Sequence, residues 1–230
     1  MCKLSGYGLS PDAIADVLGK DPRTITVWLR GISKKANFFH DVICLSVTLT
    51  VLFIQMDELW SYLKNKNSQL WVFVGFEVES RFWMNFEVGS RTTHTAAKLV
   101  GRLRQLIGKA SRAAPLKIST NKQAAYKNAL QSVFTDIEYV YLQIVKKRIK
   151  MRLVTVKKFF VKGTAADFKG KSQNTSYIER FNLTLRQRVS YLHRKTLGYC
   201  KKKANLTDAL WINLYDYNYR RHHKSLRVPV

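Results

Sequence analysis

The chain has 230 residues, 46% of them hydrophobic, so it can bury the core of one main domain plus a small appendage. Its 40 Lys and Arg residues against 15 Asp and Glu give a formal net charge of +25, which argues against an ordinary enzyme of small substrates. Such a charge favours a polyanionic partner. Nucleic acid is favoured over an anionic membrane surface, because the basic residues are spread through segments with folded patterns.

The three cysteines, Cys2, Cys44 and Cys200, lie far apart and form no CxxC pair. Their spacing predicts neither a zinc finger nor a disulfide framework, and we expect a reducing compartment, the cytoplasm with its nucleoid. The apolar run 42–54 is shorter than the roughly 20 residues of a membrane helix, and its β-branched content predicts a buried strand.

Two helical patterns open the chain. Ser10 is placed to cap the first, Pro11 occupies its first position and Gly19 ends it. Asp21 and Pro22 begin the second, with an inner face predicted to hold Ile25, Trp28 and Leu29. Two short helices joined by a tight turn suggest a helix-turn-helix, and an ordinary helical hairpin is the alternative.

If the pair binds DNA, the residues that face the groove are Arg23, Thr24, Thr26 and Arg30. Only nine residues precede Ser10, so we expect this segment to be a truncated DNA-binding domain. Residues 31–41 are predicted to form a linker.

The hydrophobic period then changes to that of strands. Three sequential strands are predicted in 54–63, 69–78 and 81–89, followed by a helix in 93–108, a strand in 115–120 and a helix in 122–134. Two further strands are predicted in 137–145 and 151–161, and two helices at about 175–194 and 205–221. This order predicts an α/β fold with a mixed central sheet and flanking helices.

Acidic residues are scarce enough to examine one by one, and none lies between Glu87 and Asp136. Asp57 and Glu58 share the first strand, where successive side chains point to opposite faces. We therefore expect Asp57 to face a site and Glu58 to face away and support it.

The helical pattern 175–194 has two faces. The core face holds Ile178, Phe181, Leu185, Val189 and Leu192. A polar face beside it holds Glu179, Asn182, Arg186 and His193. Glu179 is therefore either a carboxylate that reaches the sheet or the last member of a capping box with Ser176.

A strand carboxylate and a helix carboxylate beside basic residues suggest two-metal phosphoryl transfer, with Mg²⁺ or Mn²⁺ held by oxygen ligands. A third ligand is expected at the end of the strand 115–120, where Asn121 stands.

Several motifs in order resemble one family: QMDELWSYL (55–63), ISTNKQAAYKNAL (118–130), NTSYIERFNLTLRQR (174–188), RKTLGY (194–199) and YNYRRHHKSL (217–226). They are similar to the transposases of insertion-sequence-one elements, a DDE group with a ribonuclease-H-like core. The resemblance implies Mg²⁺-assisted cleavage and strand transfer at the element's DNA ends by a homo-oligomer. It matches Asp57 to the first catalytic Asp, Asn121 to the second, Glu179 to the catalytic Glu and Arg186 to a basic residue that follows it.

The resemblance implies three parts: a helix-turn-helix segment (1–36), a linker and leading strand (37–50) and a catalytic domain (51–228). It also exposes a departure, because the second catalytic Asp is Asn121, and asparagine offers one neutral oxygen where aspartate offers two and a charge. We therefore expect little or no strand transfer. The metal ligands implied are Asp57, Asn121 and Glu179, supported by Glu58, Asn182 and His193.

Two basic runs flank this site, 146–162 and 180–203, with eight Lys or Arg each. We expect contacts to the DNA backbone in preference to simple solvation; the residues proposed are Lys146, Lys147, Arg148, Arg188, Arg194 and Lys195. Two alternatives to an active transposase stay open. One is a catalytically dead DNA-binding relative that competes at element ends, and the other is a basic structural nucleic-acid protein.

Overall fold

The structure is a computed structural model that describes residues 1–46, 51–107, 115–150, 152–169, 173–194 and 198–222. These residues include seven α-helices: α1 (Cys2–Gly6), α2 (Pro11–Leu18), α3 (Pro22–Ser46), α4 (Thr93–Ile107), α5 (Ala124–Val133), α6 (Ser176–Arg188) and α7 (Lys203–Tyr215). Six strands are β1 (Phe53–Tyr62), β2 (Gln69–Glu77), β3 (Trp83–Gly89), β4 (Leu116–Asn121), β5 (Tyr139–Ile149) and β6 (Arg152–Lys162).

The fold is α/β, as predicted. The six strands form one mixed sheet in the order β3-β2-β1-β4-β5-β6. β4 pairs in parallel with β1 and β5, whereas β2–β3 and β5–β6 are antiparallel. This sheet with its flanking helices is compatible with a ribonuclease-H-like core.

The chain divides into two compact units. The first comprises Met1–Val47, Trp60–Leu70 and Asn182–Val230, and the second comprises Thr48–Leu59 and Trp71–Phe181. In the second unit, α4 packs on the sheet at Gly75, where a Cβ atom would lie 2.9 Å from the Leu103 side chain. Glycine is therefore what allows this helix to approach the strand so closely.

The helix α2 begins and ends as predicted, and α3 begins as predicted. The Ser10 hydroxyl accepts a hydrogen bond from the Ala13 N–H at 3.2 Å, and Gly19 ends α2 in the left-handed conformation with φ 59°. The Asp21 carboxylate accepts from the Arg23 N–H at 2.7 Å at the start of α3. Two helices joined by a tight turn are present, but α3 has 25 residues and is not short, so a DNA-binding helix-turn-helix stays a prediction.

Two predictions about the segment after them are wrong. Residues 31–41 form no linker, because α3 continues unbroken to Ser46. The described residues of 42–54 form no separate strand, because 42–46 are helical and the strand predicted in 54–63 begins at Phe53; residues 47–50 lie outside the described residues. The amphipathic pattern of this stretch, with Ser33, Ala36, His40 and Cys44 buried at helical spacing, outweighs its β-branched content. The functional three-part division stays a prediction.

The prediction for Trp28 is also wrong, since it is 44% exposed while Ile25 and Leu29 are buried. In contrast, the predicted core face of α6 and the turn after it is confirmed, because all five of its residues are buried. The helix itself ends at Arg188, and a short 3₁₀ turn, Ser190–Leu192, follows. Among the described residues, no helix combines the length and apolar composition that a bilayer span needs.

Candidate functional site

Asn121 joins the two acidic residues of β1. Its side-chain NH₂ group donates to Asp57 Oδ1 at 3.0 Å and to Glu58 Oε2 at 3.1 Å. Its Oδ1 accepts from the Gln123 N–H at 3.2 Å. These partners fix the orientation of the amide, because carboxylates need a donor and a backbone N–H needs an acceptor.

The strand register explains why these three residues meet. The parallel pairing of β1 with β4 runs from Phe53–Lys117 to Met56–Thr120. Asp57, Glu58 and Asn121 follow directly after this paired stretch, at the same edge of the sheet. The prediction that Glu58 turns away from the Asp57 site is therefore wrong, since one amide group reaches both carboxylates.

Glu58 lies in a buried ion pair. Its side chain is 1% exposed and is paired with the guanidinium of Arg91, whose Nε donates to Glu58 Oε1 at 3.0 Å. The Arg91 guanidinium also lies over the Trp71 ring, 4.5 Å from its centroid. A buried carboxylate needs partners of this kind to remain charged.

Tyr126 adds a neutral wall beside the two carboxylates. Burial raises the pKa of its hydroxyl well above the ordinary value, and the negative charges of Glu58 and Asp57 raise it further. The residue therefore faces the two carboxylates as an uncharged phenol near neutral pH.

Glu179 is held at the start of α6. Its Oε1 accepts from Lys146 Nζ at 2.5 Å and from the Thr175 hydroxyl at 2.7 Å. The alternative, a capping box between Ser176 and Glu179, is not formed, because the Ser176 N–H donates to Asn174 Oδ1 at 3.0 Å. Glu179 is thus paired with a lysine of β5.

Gln55 fixes the start of α6 to β1. The Gln55 side chain is fully buried, accepts from the Ile178 N–H at 2.9 Å and donates to the Asn174 carbonyl at 2.6 Å. Gln55 and Asp57 are two residues apart on one strand and therefore share a face. The residue before Glu179 is consequently anchored to the strand face that carries Asp57.

These residues fit a metal site only in part. Asp57 and Glu179 supply carboxylates, the ligand type that Mg²⁺ prefers. Asn121 does not fit the ligand role, because it turns its NH₂ donor to the carboxylates and its oxygen to Gln123. Among the described residues, no group of three or more His, Cys, Asp or Glu side chains is arranged to hold a metal ion.

The predicted DNA contacts are distributed over both units. On α3, Arg23 and Arg30 are exposed and Thr24 and Thr26 half-buried. Arg30 lies 3.8 Å from Asp208, and the Thr26 hydroxyl donates to the Pro22 carbonyl at 2.9 Å. Lys147 is exposed on β5, beside Lys146.

Three other predicted contacts have different outcomes. Arg188 is half-buried and donates to the Gly6 carbonyl at 2.8 Å and to Asp216 at 3.3 Å, which is a structural contact within the first unit. Arg148 lies on β5, but its side chain is outside the described part of the chain. Lys195 lies outside the described residues altogether.

Arg186, Asn182 and His193 belong to the first unit, whereas Asp57, Asn121 and Glu179 belong to the second. Asn182 is buried. Arg186 and His193 line a cavity of about 480 Å³ together with Arg194.

Sequence reasoning missed Gln55, Arg91 and Tyr126. Gln55 could have been selected because it is a glutamine inside an apolar strand, and a buried amide needs hydrogen-bond partners. Arg91 and Tyr126 gave no comparable signal, because their contacts depend on how distant segments fold together.

Neither the comparison with models of known protein families nor the comparison with curated proteins gives a match for this chain.

Proposed function

We propose that the protein is a DNA transposase of the insertion-sequence-one type, acting at the DNA ends of its element. The observation that carries this proposal is the convergence on β1. Asn121 is 3.0 Å from Asp57, and Gln55 anchors the helix start that carries Glu179 to the same strand. The order of the sheet and the charge of +25 are what such an enzyme needs.

The chemistry proposed for this family is hydrolysis of a phosphodiester at the element end, which frees a 3′-OH. That hydroxyl then attacks a phosphodiester of the target DNA, whose own 3′ oxygen leaves. Mg²⁺ would supply charge stabilisation when bound. In this chain, Asp57 and Glu179 contribute the carboxylates. Lys146 offsets the charge of Glu179, and Asn121 donates to Asp57 instead of adding a third negative charge. We infer that strand transfer by this chain is weak or absent.

A second candidate function follows from the same amide. In this candidate function, the protein binds the element ends without cleaving them and competes there with intact copies of the transposase. The observation that favours it is the pair of hydrogen bonds from Asn121 to Asp57 and Glu58, in which a neutral amide donor stands where a third metal-binding carboxylate would be needed.

A DNA cleavage assay with Mg²⁺ and the element's own ends separates the two. We expect little cleavage by the wild type, a gain with Asn121→Asp, and loss of that gain in Asn121→Asp combined with Glu179→Gln. Full cleavage by the wild type contradicts the inferred weakness. End binding without cleavage by either protein leaves the competitor function.

Thermal unfolding with and without Mg²⁺ tests the metal site without a DNA substrate. Asn121→Asp places three carboxylates together and removes two hydrogen bonds, so we expect a lower Tm without Mg²⁺ and a larger Mg²⁺-dependent rise than in the wild type. Equal shifts in both proteins would show that position 121 takes no part in metal binding.

A further inference from the structure

We propose that the 480 Å³ cavity of the first unit binds a single unpaired nucleotide, with its base against an aromatic wall and its phosphate at a basic rim. This inference rests on the proposed function in that DNA is the ligand. It adds a binding mode, because contacts to the duplex backbone require no cavity and no aromatic rings.

The aromatic wall is formed by Trp60, Tyr62 and Tyr191. Trp60 and Tyr62 are two residues apart at the end of β1 and therefore point to the same face of the strand. Their ring centroids are 5.4 Å apart. Both rings are partly exposed. Tyr62 is backed by Tyr199, whose ring is nearly parallel to it at 6.3 Å. A base that enters the cavity therefore meets rings that are already held in place.

The 3₁₀ turn completes this wall. The Ser61 hydroxyl donates to the Tyr191 carbonyl at 3.2 Å, which ties the strand end to the turn Ser190–Leu192. Burial raises the pKa of Tyr191 to about 12, and nearby acidic groups, Cys200 first, add to the shift. Tyr191 is therefore a neutral ring that does not repel a phosphate.

The rim carries positive charge. Lys66, Arg186 and Arg194 line the cavity with His193, and among the described residues no acidic side chain lines it. Arg186 donates to the Leu192 carbonyl at 3.3 Å and His193 Nε2 lies 3.1 Å from the Gln187 carbonyl, so both side chains are oriented by the backbone. Such a rim favours a phosphate, and guanidinium groups suit its geometry.

Size, rings and charge together select the ligand. A cavity of this volume lies within the usual range for a small-molecule-sized ligand, and it is too small for a duplex. Proteins that hold single-stranded nucleic acid stack aromatic rings on its bases and place cations along its phosphate backbone. The chemistry therefore specifies a nucleotide outside a double helix.

Fluorescence anisotropy with a labelled oligothymidylate, a duplex of mixed sequence and an abasic oligonucleotide of equal length tests the proposal. Trp60→Ala should weaken oligothymidylate binding by about 5- to 150-fold, the loss of one base–aromatic stack, and leave abasic binding unchanged. Trp60→Phe, which keeps a ring, should restore most of the affinity. Arg194→Ala, at an exposed position, should weaken both single-stranded ligands.

The controls are Phe38→Ala, an aromatic that is 71% exposed on α3, and Lys127→Ala, an exposed cation on α5. Neither should change single-stranded binding more than duplex binding. If duplex is bound but Trp60→Ala and Arg194→Ala leave oligothymidylate affinity unchanged, the cavity proposal is overturned and the proposed function stands. If the wild type binds no DNA at all, both are overturned.

Discussion

At the scale of single residues, the candidate site depends on which hydrogen-bond donors and cations contact its carboxylates. Asn121 donates to both Asp57 and Glu58, and Arg91 pairs with the buried Glu58. Another arginine–carboxylate pair of the second unit joins Arg104 to Asp136 at 2.7 Å, and its carboxylate is 61% exposed. The two pairs share their chemistry and differ mainly in burial.

This difference predicts unequal costs for two equivalent substitutions. Arg91→Ala should lower the free energy of unfolding by about 2–3 kcal/mol, because it leaves a buried carboxylate without its cation. Arg104→Ala should lower it by less than about 1 kcal/mol, because water solvates Asp136. Urea denaturation of both variants measures the two costs, and equal costs would contradict the importance of burial here.

At the scale of elements, the sheet supports the start of α6 through the buried side chain of Gln55. Ile178 lies in the first turn of α6, where backbone N–H groups have no partner within the helix. Gln55 supplies that partner from β1 and also binds the Asn174 carbonyl. The position of Glu179 therefore depends on a residue that carries no catalytic group.

Gln55→Leu tests this dependence, because leucine keeps the volume and removes both hydrogen bonds. We expect a loss of about 1–3 kcal/mol in unfolding free energy and faster hydrogen exchange at the Ile178 amide. Gln131→Leu, at an exposed position on α5, is the control. Unchanged exchange at Ile178 in Gln55→Leu would show that the start of α6 is held without the Gln55 hydrogen bonds.

Local patterns in the sequence were sufficient for much of the fold. Alternating and helical hydrophobic periods located all six strands and the start of α2, and the buried face of α6 followed from helical spacing. The same method failed over 31–46, where a linker and then the start of a β-branched strand were predicted and the helix α3 continued instead.

The candidate site was predicted less completely. Asp57, Asn121 and Glu179 were selected from scarce acids and a resemblance, and the structure brings Asp57 and Asn121 into contact. Alternation along the strand misjudged Glu58, because the Asn121 amide at the end of β4 reaches the carboxylates of both neighbouring residues. Arg91 and Tyr126 come from segments whose approach only the tertiary fold determines.

At the scale of the whole molecule, charge is the dominant property. Much of the positive charge lies on the hairpin β5–β6, and β6 is exposed along nearly its whole length. Lys147 and Lys157 are exposed on its two strands. If this hairpin contacts phosphates, each contact releases counterions and adds to the salt dependence of DNA binding.

Lys147→Glu and Lys157→Glu should weaken duplex binding irrespective of sequence. The slope of log affinity against log salt should become shallower by roughly 0.9 for each phosphate that the variant no longer neutralises. Lys127→Glu, an equal change of charge on α5, should have a smaller effect. Filter binding over a salt series measures the slopes, and an unchanged slope in the hairpin variants would indicate that these lysines are only solvated.

The position of β6 gives its lysines another consequence. Within the described sheet β6 is an edge strand, and its exposed apolar side chains include Leu153, Val154 and Val156. An edge of this composition is a template for aggregation, and positive charges along it keep two copies apart. High salt screens that repulsion. Colloidal solubility and DNA affinity are therefore coupled through the same strand, and the concentration of salt that releases the DNA also lowers the barrier to edge-to-edge association.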